Sequence, residues 1–194
     1  MRKLTYFVAV SIDGFIGGPD GDAEMFMPFV DEEFLEFLKG EYPETISAEG
    51  RRMLGLQDLR HRRFDTVVQG RRSYDLALAR DITSPYGHLR EYVASRTLEK
   101  SPDPNVEIVS DDLVGKVREL KAEDGEFDIW LCGGSEIAGE LVGEVDALVL
   151  KTYPMILGSG MPMFASPLSA DAFTLDSART FGNGVLVRTY NRTR

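Results

Sequence analysis

One stretch decides the fold: Asp128-Ile129-Trp130-Leu131-Cys132-Gly133-Gly134-Ser135-Glu136-Ile137-Ala138-Gly139-Glu140. A short apolar run ends at two glycines, and apolar residues then recur at the spacing of a helix, which predicts a strand, a tight turn and a helix. The glycines leave no side chain above the turn, and the first amides of a helix have no partner within it. The turn is therefore a candidate anion site, although glycines also turn the chain in α/β proteins that bind no anion there.

Size and composition exclude several classes of protein. With 194 residues, 43% of them hydrophobic, the chain can bury one substantial core, so we expect a single domain over residues 1–194. No apolar run is long enough to span a membrane and the N-terminus lacks a signal peptide, so we expect a cytoplasmic protein with no membrane contact. The single cysteine, Cys132, and two histidines predict neither a disulfide nor a metal site. The net charge of −10 argues against a nucleic-acid partner.

Strands alternate with helices along the chain. Residues 4–10 form a continuous run of strand-forming residues, which predicts a central strand buried on both faces. Further strands are predicted at residues 66–69, 92–94 and 106–109, in the stretch quoted above, and at residues 147–153, 173–180 and 184–190. Residues 181–184 have the composition of a hairpin turn, which predicts an antiparallel pair at the C-terminus. We therefore expect an α/β fold of about eight strands, mostly parallel, with helices on both faces.

Helix signals lie between these strands. Residues 31–40 predict a helix with Asp31 as the N-cap and Gly40 as the closing residue. Residues 41–63 predict a second helix or an ordered insertion, and a further helix should follow Gly70. Ser110 is the predicted cap of another amphipathic helix, with two aspartates in its first turn.

Two loops contain apolar residues. Phe15 and Ile16 lie within the turn-rich residues 11–21, which suggests a lid. Residues 154–164 form an apolar segment interrupted by glycine and proline, so we expect an exposed segment that meets a partner or a substrate. This segment is one reason to expect a homodimer.

Ligands of open α/β sheets bind beyond the carboxyl ends of the strands. Arg71, Arg72 and Arg96 follow predicted strand ends here, at predicted helix starts where acidic residues are normally favoured. Each arginine alone could be a solvated surface residue, but three on one edge favour a ligand with several phosphates. Neither the Rossmann nor the Walker glycine pattern is present.

Several segments, taken in order, resemble the signature segments of the dihydrofolate reductase superfamily. The resemblance is closer to the branch that contains the reductase domain of the bifunctional riboflavin-biosynthesis deaminase/reductase, and it spans nearly the whole chain. No Cys/His deaminase motif is present. The segments are residues 9–17 (AVSIDGFIG), 70–74 (GRRSY), 93–97 (VASRT), 130–135 (WLCGGS) and 156–164 (ILGSGMPMF).

The resemblance implies a dihydrofolate-reductase-like three-layer fold and an NADPH-dependent reductase of a small substrate, pterin-like or related to a riboflavin precursor. The alternative is a non-catalytic nucleotide- or ligand-binding protein on the same fold. The resemblance also implies a homodimer and a cis peptide between the paired glycines. The residues it implies for the cofactor are Ala9 and Ile16 near the nicotinamide, Gly70, Arg71, Arg72 and Ser73 at the phosphates, Ser95 and Arg96 near the 2′-phosphate, and Gly133, Gly134, Ser135, Glu136 and Ile137 at the pyrophosphate.

The catalytic residues stay open. Folate reductases carry an acid in the first long helix, and an ungapped extension from residues 27–29 places Phe34 there, whereas a one-residue gap places Glu33 there. Asp13 is another candidate, but Asp-Gly is also ordinary turn chemistry. We therefore expect water to deliver the proton. Cys132 is expected to be a packed strand residue, because no basic partner lies near it in sequence.

Overall fold

The computed structural model describes residues 1–165 and 170–193. The strands are β1 (Leu4–Ser11), β2 (Phe15–Gly17), β3 (Phe64–Gly70), β4 (Arg90–Ala94), β5 (Val106–Val109), β6 (Asp128–Gly133), β7 (Ala147–Tyr153), β8 (Met161–Pro162), β9 (Phe173–Thr180) and β10 (Leu186–Arg192). The α-helices are α1 (Glu32–Glu41), α2 (Ala48–Met53), α3 (Arg71–Leu78), α4 (Leu113–Ala122) and α5 (Ser135–Glu140). Short 3₁₀ turns cover Glu24–Phe29, Pro43–Thr45 and Val142–Glu144.

Eight strands form one sheet in the order β5-β4-β3-β6-β1-β7-β10-β9. Every neighbouring pair is parallel except those of β10, which runs antiparallel to both β7 and β9. The eight-stranded, mostly parallel sheet and its C-terminal antiparallel pair are therefore confirmed. The prediction that the first strand is central is also confirmed, because β1 lies between β6 and β7.

Helices cover both faces of this sheet. Successive side chains of a strand alternate between faces, so β1 supplies both cores. Tyr6 joins the core cluster that contains Leu120 of α4 and Ala138 of α5. Phe7 joins the opposite cluster, which contains Phe34 of α1. The result is the expected three-layer arrangement. Among the described residues, no helix is both long and apolar enough to cross a membrane.

The sheet divides between β1 and β6. These strands are paired only from Leu4 to Tyr6, whereas β1 and β7 remain paired from Thr5 to Ser11. The helix after β1 packs on one face of the sheet, and the helix after β6 packs on the other. Adjacent strands whose connections leave on opposite faces mark a topological switch point, where open α/β sheets bind ligands.

The strands β2 and β8 pair with each other outside the main sheet. They join residues 11–21 to residues 154–164, and sequence analysis missed them because runs of two or three residues show no periodicity. The expected exposure of residues 154–164 is wrong for most of its apolar side chains. Met155 and Leu157 pack on one core and Met163 on the other, while Ile156 is 71% exposed.

The N-terminus of α1 is as predicted, since the Asp31 carboxylate accepts the backbone N–H of Phe34 at 2.9 Å. Gly40 does not close this helix but lies inside it. The second predicted helix is present as α2, within residues 41–63. Ser110 is not a helix cap, and the two aspartates precede the first turn of α4. Asp112 is the cap, and its carboxylate accepts the N–H of Gly115 at 2.9 Å.

Replacing Asp112 with alanine should lower the free energy of unfolding by about 0.5–2 kcal/mol, because the cap of α4 is lost. Asp112 also has a φ of 43°, a region that Asn tolerates better than Ala, so Asp112→Asn should retain most of the stability. Chemical denaturation of the two variants measures both effects. Ser110→Ala is the matched control and should leave stability unchanged; a larger loss in Ser110→Ala than in Asp112→Ala would return the cap to Ser110.

Candidate functional site

A cavity of about 650 Å³ lies beyond the carboxyl ends of β3, β4, β5 and β6. Each of these strands contributes the residues that follow it, and the segment around β8 closes one side. The lining residues fall at 70–72, 94–97, 109–113 and 134–137, with Glu140, Met161 and Ala165 in addition. The cavity occupies the edge where the sequence predicted a phosphate-rich ligand.

Most of the predicted cofactor residues meet in this cavity. The lining includes Gly70, Arg71, Arg72, Ser95, Arg96, Gly134, Ser135, Glu136 and Ile137. Ser73 and Gly133 adjoin lining residues without lining the cavity themselves. Ala9 and Ile16 lie apart from it and from each other, because Ala9 packs on the core face of α1 and Ile16 on the core face of α5.

The sequence analysis missed the part of the lining that follows β5. Ser110, Asp111 and Asp112 lie there, directly after the end of the strand. The carboxyl-end rule would have included them, since it had already selected the residues after the other three strands. Met161 had no comparable signal, because it reaches the cavity only through the pairing of β2 with β8.

Two of the three helices that begin at the cavity, α3 and α5, lack the side-chain N-cap that the other α-helices have. Asp31, Ser47 and Asp112 cap α1, α2 and α4 through their side chains. By contrast, α3 and α5 begin after Gly70 and Gly134, which have no side chain to accept the first amides. Since α5 has only six residues, its dipole is weak, and direct donation from these amides would contribute more to an anion contact.

The two glycine turns pack against each other. A Cβ on Gly70 would lie 3.3 Å from the backbone nitrogen of Gly134, and a Cβ on Gly134 would lie 3.1 Å from Met161 Sδ. Gly133 has a φ of 123°, which side chains rarely adopt, and its peptide bond to Gly134 is cis, as the resemblance implied. Bare backbone therefore forms the floor of the cavity beside α3 and α5.

The three arginines are in different electrostatic settings. Arg71 Nε lies 2.6 Å from the carboxylate of Asp75, and an Arg72 guanidinium nitrogen lies 3.4 Å from that of Glu136. Arg96 is exposed and has no ion pair within residues 1–165 and 170–193. It lies in the loop after β4, not at a helix start as expected. The cavity therefore presents one uncompensated cation and two that already have partners.

Comparison with known proteins places this geometry in a family. The sequence profile of the RibD C-terminal domain matches residues 2–187. The chain belongs to the RibD C-terminal domain family. The uncharacterized Bacillus subtilis (strain 168) proteins YyaP and YwjB are 26% and 27% identical to it, and these alignments cover 98% and 95% of this chain and 95% of each relative.

Solved structures agree on the fold of this RibD C-terminal domain. A Shewanella sp. PV-4 protein assigned provisionally to riboflavin biosynthesis has a TM-score of 0.72 and 23% identity, with 100% of both chains covered. Dihydrofolate reductase from Enterococcus faecalis, complexed with NADP(H) and RAB-propyl, has a TM-score of 0.66 and 14% identity, with 99% of this chain and 97% of that chain covered. The dihydrofolate-reductase-like fold is therefore confirmed.

Asp13 and Glu33, the carboxylates considered as proton donors, both hold loops in place through hydrogen bonds. The Asp13 carboxylate accepts hydrogen bonds from Ser11 Oγ at 2.6 Å and from the backbone N–H of Gly158 at 2.7 Å, and these contacts lower its pKa. The Glu33 carboxylate accepts the N–H of Gly182 at 3.1 Å, which ties α1 to the turn before β10. Phe34 is fully buried in the core.

Cys132 lies on β6 on the core face of α1, where it packs among apolar side chains. Burial raises the pKa of its thiol to about 11. The hydroxyl of Tyr86, 4.0 Å from Sγ, is its nearest polar contact. Since the thiolate is the reactive form, the side chain has the environment of a packed residue and not of a nucleophile.

Iodoacetamide should therefore alkylate Cys132 about 10²-fold more slowly at pH 8 than it alkylates an exposed thiol, because far less thiolate is present. The control is Asn105→Cys in a Cys132→Ala background, which places a thiol at an exposed loop position. Mass spectrometry of timed samples gives both rates. Equal rates would mean that Cys132 is an activated thiol.

Proposed function

We propose that this RibD C-terminal domain is an NADPH-dependent reductase that delivers a hydride to a small organic substrate, pterin-like or riboflavin-precursor-like. The observation that carries the proposal is the 650 Å³ cavity, where two uncapped helix starts and an unpaired arginine converge. Family membership supports it, as does the fold shared with a reductase whose structure contains NADP(H).

Each group around the cavity suits one part of such a cofactor. The amides that follow Gly70 and Gly134 would bind the pyrophosphate, because they have no side-chain cap. Ser95 Oγ accepts the N–H of Leu98 at 2.9 Å, so it shapes the loop from which Arg96 projects. Asp111 also lines the cavity, in the segment after the neighbouring strand β5, and would repel a phosphate placed beside it. Arg96 is the group that would attract the 2′-phosphate.

NADPH supplies the hydride when it is bound, and the protein positions it against the substrate. The substrate would enter where β1 and β6 separate, since ligands of this sheet class meet at the switch point. The partly exposed side chains of Ala9 and Cys132 lie there. The short side chain of Ala9 leaves space for a flat ring, in agreement with the nicotinamide position implied by the resemblance.

One observation favours the alternative of a binding protein without turnover. Asp13 and Glu33, the carboxylates considered as acids, are both engaged in loop contacts. The two functions are separated by following NADPH absorbance in the presence of pterins, carbonyl compounds and imines. Oxidation with at least one compound supports the reductase; tight NADPH binding with no oxidation in the whole panel supports the binding protein.

Arg96→Ala should weaken NADPH binding by about ten-fold or more and leave NADH binding nearly unchanged, because one charge-assisted hydrogen bond is worth about 1.5–3 kcal/mol. Calorimetry with both cofactors measures this. Trp130, the single tryptophan, also lies beside the sheet divide and offers a fluorescence readout.

Arg52→Ala is the matched control for this measurement, because Arg52 is an exposed arginine of α2 outside the cavity. It should change neither affinity. Equal losses of NADPH and NADH binding in Arg96→Ala would mean that Arg96 does not read the 2′-phosphate.

We also propose that the protein is a homodimer formed through β9. Every residue from Thr174 to Thr180 is exposed, and β9 has no second neighbouring strand within the described residues. Exposed sheet edges pair readily with another chain. Leu175, 53% exposed, would be buried in such a contact.

Light scattering should therefore give twice the monomer mass at micromolar concentration, and Leu175→Asp should shift the protein toward the monomer. Ile156→Asp removes a comparable exposed apolar side chain away from β9 and should leave the dimer intact. A wild-type monomer, or a dimer disrupted only by Ile156→Asp, would contradict pairing through β9.

A further inference from the structure

Three partly exposed positions lie near the point where β1 and β6 separate: Ala9 of β1, Cys132 of β6 and Lys151 of β7. Ala9 and Lys151 are paired in the register, and Cys132 lies one step earlier, level with Phe7. Phe7 and Val149, on the same face, are buried. Interior strands of a covered sheet normally hide such positions, so the face covered by α1 is partly open near this point.

Lys151 is the charged residue among these three positions. It lies opposite Ala9 on one side and Val187 of β10 on the other. Its ammonium lies 4.3 Å from the centre of the Phe7 ring. Within residues 1–165 and 170–193 it has no hydrogen bond and no ion pair. An ammonium has three donors, and none of the three has a hydrogen-bond acceptor within those residues.

Three other polar groups near the gap between β1 and β6 already have hydrogen-bond partners, so none of them is assigned as the proton source of a reduction. Asp13 and Glu33 are occupied by backbone amides of neighbouring loops. The hydroxyl of Tyr6, on the other face, donates to the carbonyl of Met163 at 3.0 Å. Lys151 is a cation on this face of the sheet that has no hydrogen-bond acceptor and no ion pair in the described part of the chain.

We propose that Lys151 is a catalytic residue that donates the proton in the reduction. The proposal rests on the proposed reductase function and names the chemistry at its substrate end. The class of substrate is a compound with a polarised C=O or C=N bond, whose oxygen or nitrogen accepts a hydrogen bond from the Lys151 ammonium.

The step balances without a further reactant. Hydride from bound NADPH forms a C–H bond at the substrate carbon, and the π electrons of the C=O or C=N bond move to the heteroatom. The heteroatom takes a proton from Lys151 Nζ, so an O–H or N–H bond forms as a lysine N–H bond breaks. NADPH is oxidised to NADP⁺, the substrate is reduced, and the neutral lysine amine regains a proton from water.

The surroundings of Lys151 shift its pKa toward the range that suits a general acid. Although the residue is partly exposed, its amine lies against the Phe7 ring, and burial of the amine lowers the pKa of Lys151 to about 8, so it is protonated at pH 7 but releases a proton more readily than a surface lysine. The pKa values of the neighbouring thiol and phenols are shifted in the opposite direction. Burial raises the pKa of Cys132 to about 11 and that of Tyr153 to about 12, and it also raises the pKa of Tyr42 and Tyr86.

One further titratable group is the carboxyl of Glu91. Burial raises the pKa of Glu91 to about 7. Its carboxylate accepts the backbone N–H of Tyr86 at 3.1 Å and does not contact Lys151. Protonation of Glu91 would affect the acid side of a pH profile, whereas deprotonation of Lys151 would affect the alkaline side.

The test compares wild type, Lys151→Met, Lys151→Arg and the control Lys116→Met with a compound that the wild type reduces. Lys116 pairs with Glu107 at 3.1 Å, away from the gap. Lys151→Met should lose about 10²–10⁴-fold in kcat, the usual contribution of general acid catalysis, with NADPH affinity unchanged. Lys151→Arg should stay impaired, because a guanidinium keeps its proton; full rescue by Arg would overturn proton donation.

The pH profile supplies a signature that a structural role would not produce. For wild type, kcat/KM should be level just below pH 8 and fall about tenfold per pH unit above it, because the donor is lost as the lysine deprotonates. Lys151→Met should lack this alkaline limb. An identical limb in Lys151→Met would overturn the proposal.

A second readout does not depend on activity. Reductive methylation with ¹³C-formaldehyde labels the lysines and the N-terminal amine, and NMR titration should show one lysine signal that titrates near pH 8 and is absent from Lys151→Arg. Titration of Lys151 near the ordinary lysine value of about 10.4 would overturn the proposal. No NADPH oxidation by wild type with any compound would overturn the reductase function and this role with it; full activity of Lys151→Met would overturn the role alone.

Discussion

The rest of the structure depends on the place where β1 and β6 stop pairing. The ladder ends at Tyr6 and Leu131, since the two chains must then turn to opposite faces of the sheet. The indole N–H of Trp130 donates to the carbonyl of Phe7 at 3.2 Å, so a side chain continues the contact for one more step. Closing the gap further would pull α1 or α5 off the core that each buries, at a cost of many apolar contacts. The gap is therefore a consequence of topology and not of loop conformation.

The loops around the gap are also held together by polar contacts. Asp13 binds two successive amides of the segment after β7, and Glu33 binds the turn after β9. The short pair of β2 with β8 adds a third tie. Asp13 and Glu33, the carboxylates that the sequence suggested as proton donors, are therefore already hydrogen-bonded to these loops. The proposed proton donor therefore comes from the sheet itself, where Lys151 of β7 is paired with Ala9 of β1.

Hydrophobic runs and helix spacing were sufficient to predict the sheet, its central strand and the C-terminal pair, since the two cores require apolar side chains at the positions where those patterns occur. Local capping was harder to predict. Ser110 and Asp112 are both good capping residue types two positions apart, and only the left-handed conformation at Asp112 decides between them. Nine cavity residues could be predicted because the carboxyl-end rule and the family motifs coincide there. Lys151 could not, because it looks like an ordinary polar residue at the end of an apolar strand until the parallel register places it opposite Ala9.

The cavity and the gap between β1 and β6 differ in local charge from the rest of this acidic molecule. A net charge of −10 repels a polyanionic cofactor at long range, and screening over a Debye length of about 8 Å limits that repulsion. Attraction must therefore be local. Arg71 and Arg72 each stand beside a carboxylate, so their fields are partly cancelled beyond the first contact. Arg96 in the cavity and Lys151 in the gap have no such partner in the described part of the chain. In the proposed complex, Arg96 would hold an anion at the far end of an extended ligand, and Lys151 would meet a heteroatom at the reacting end.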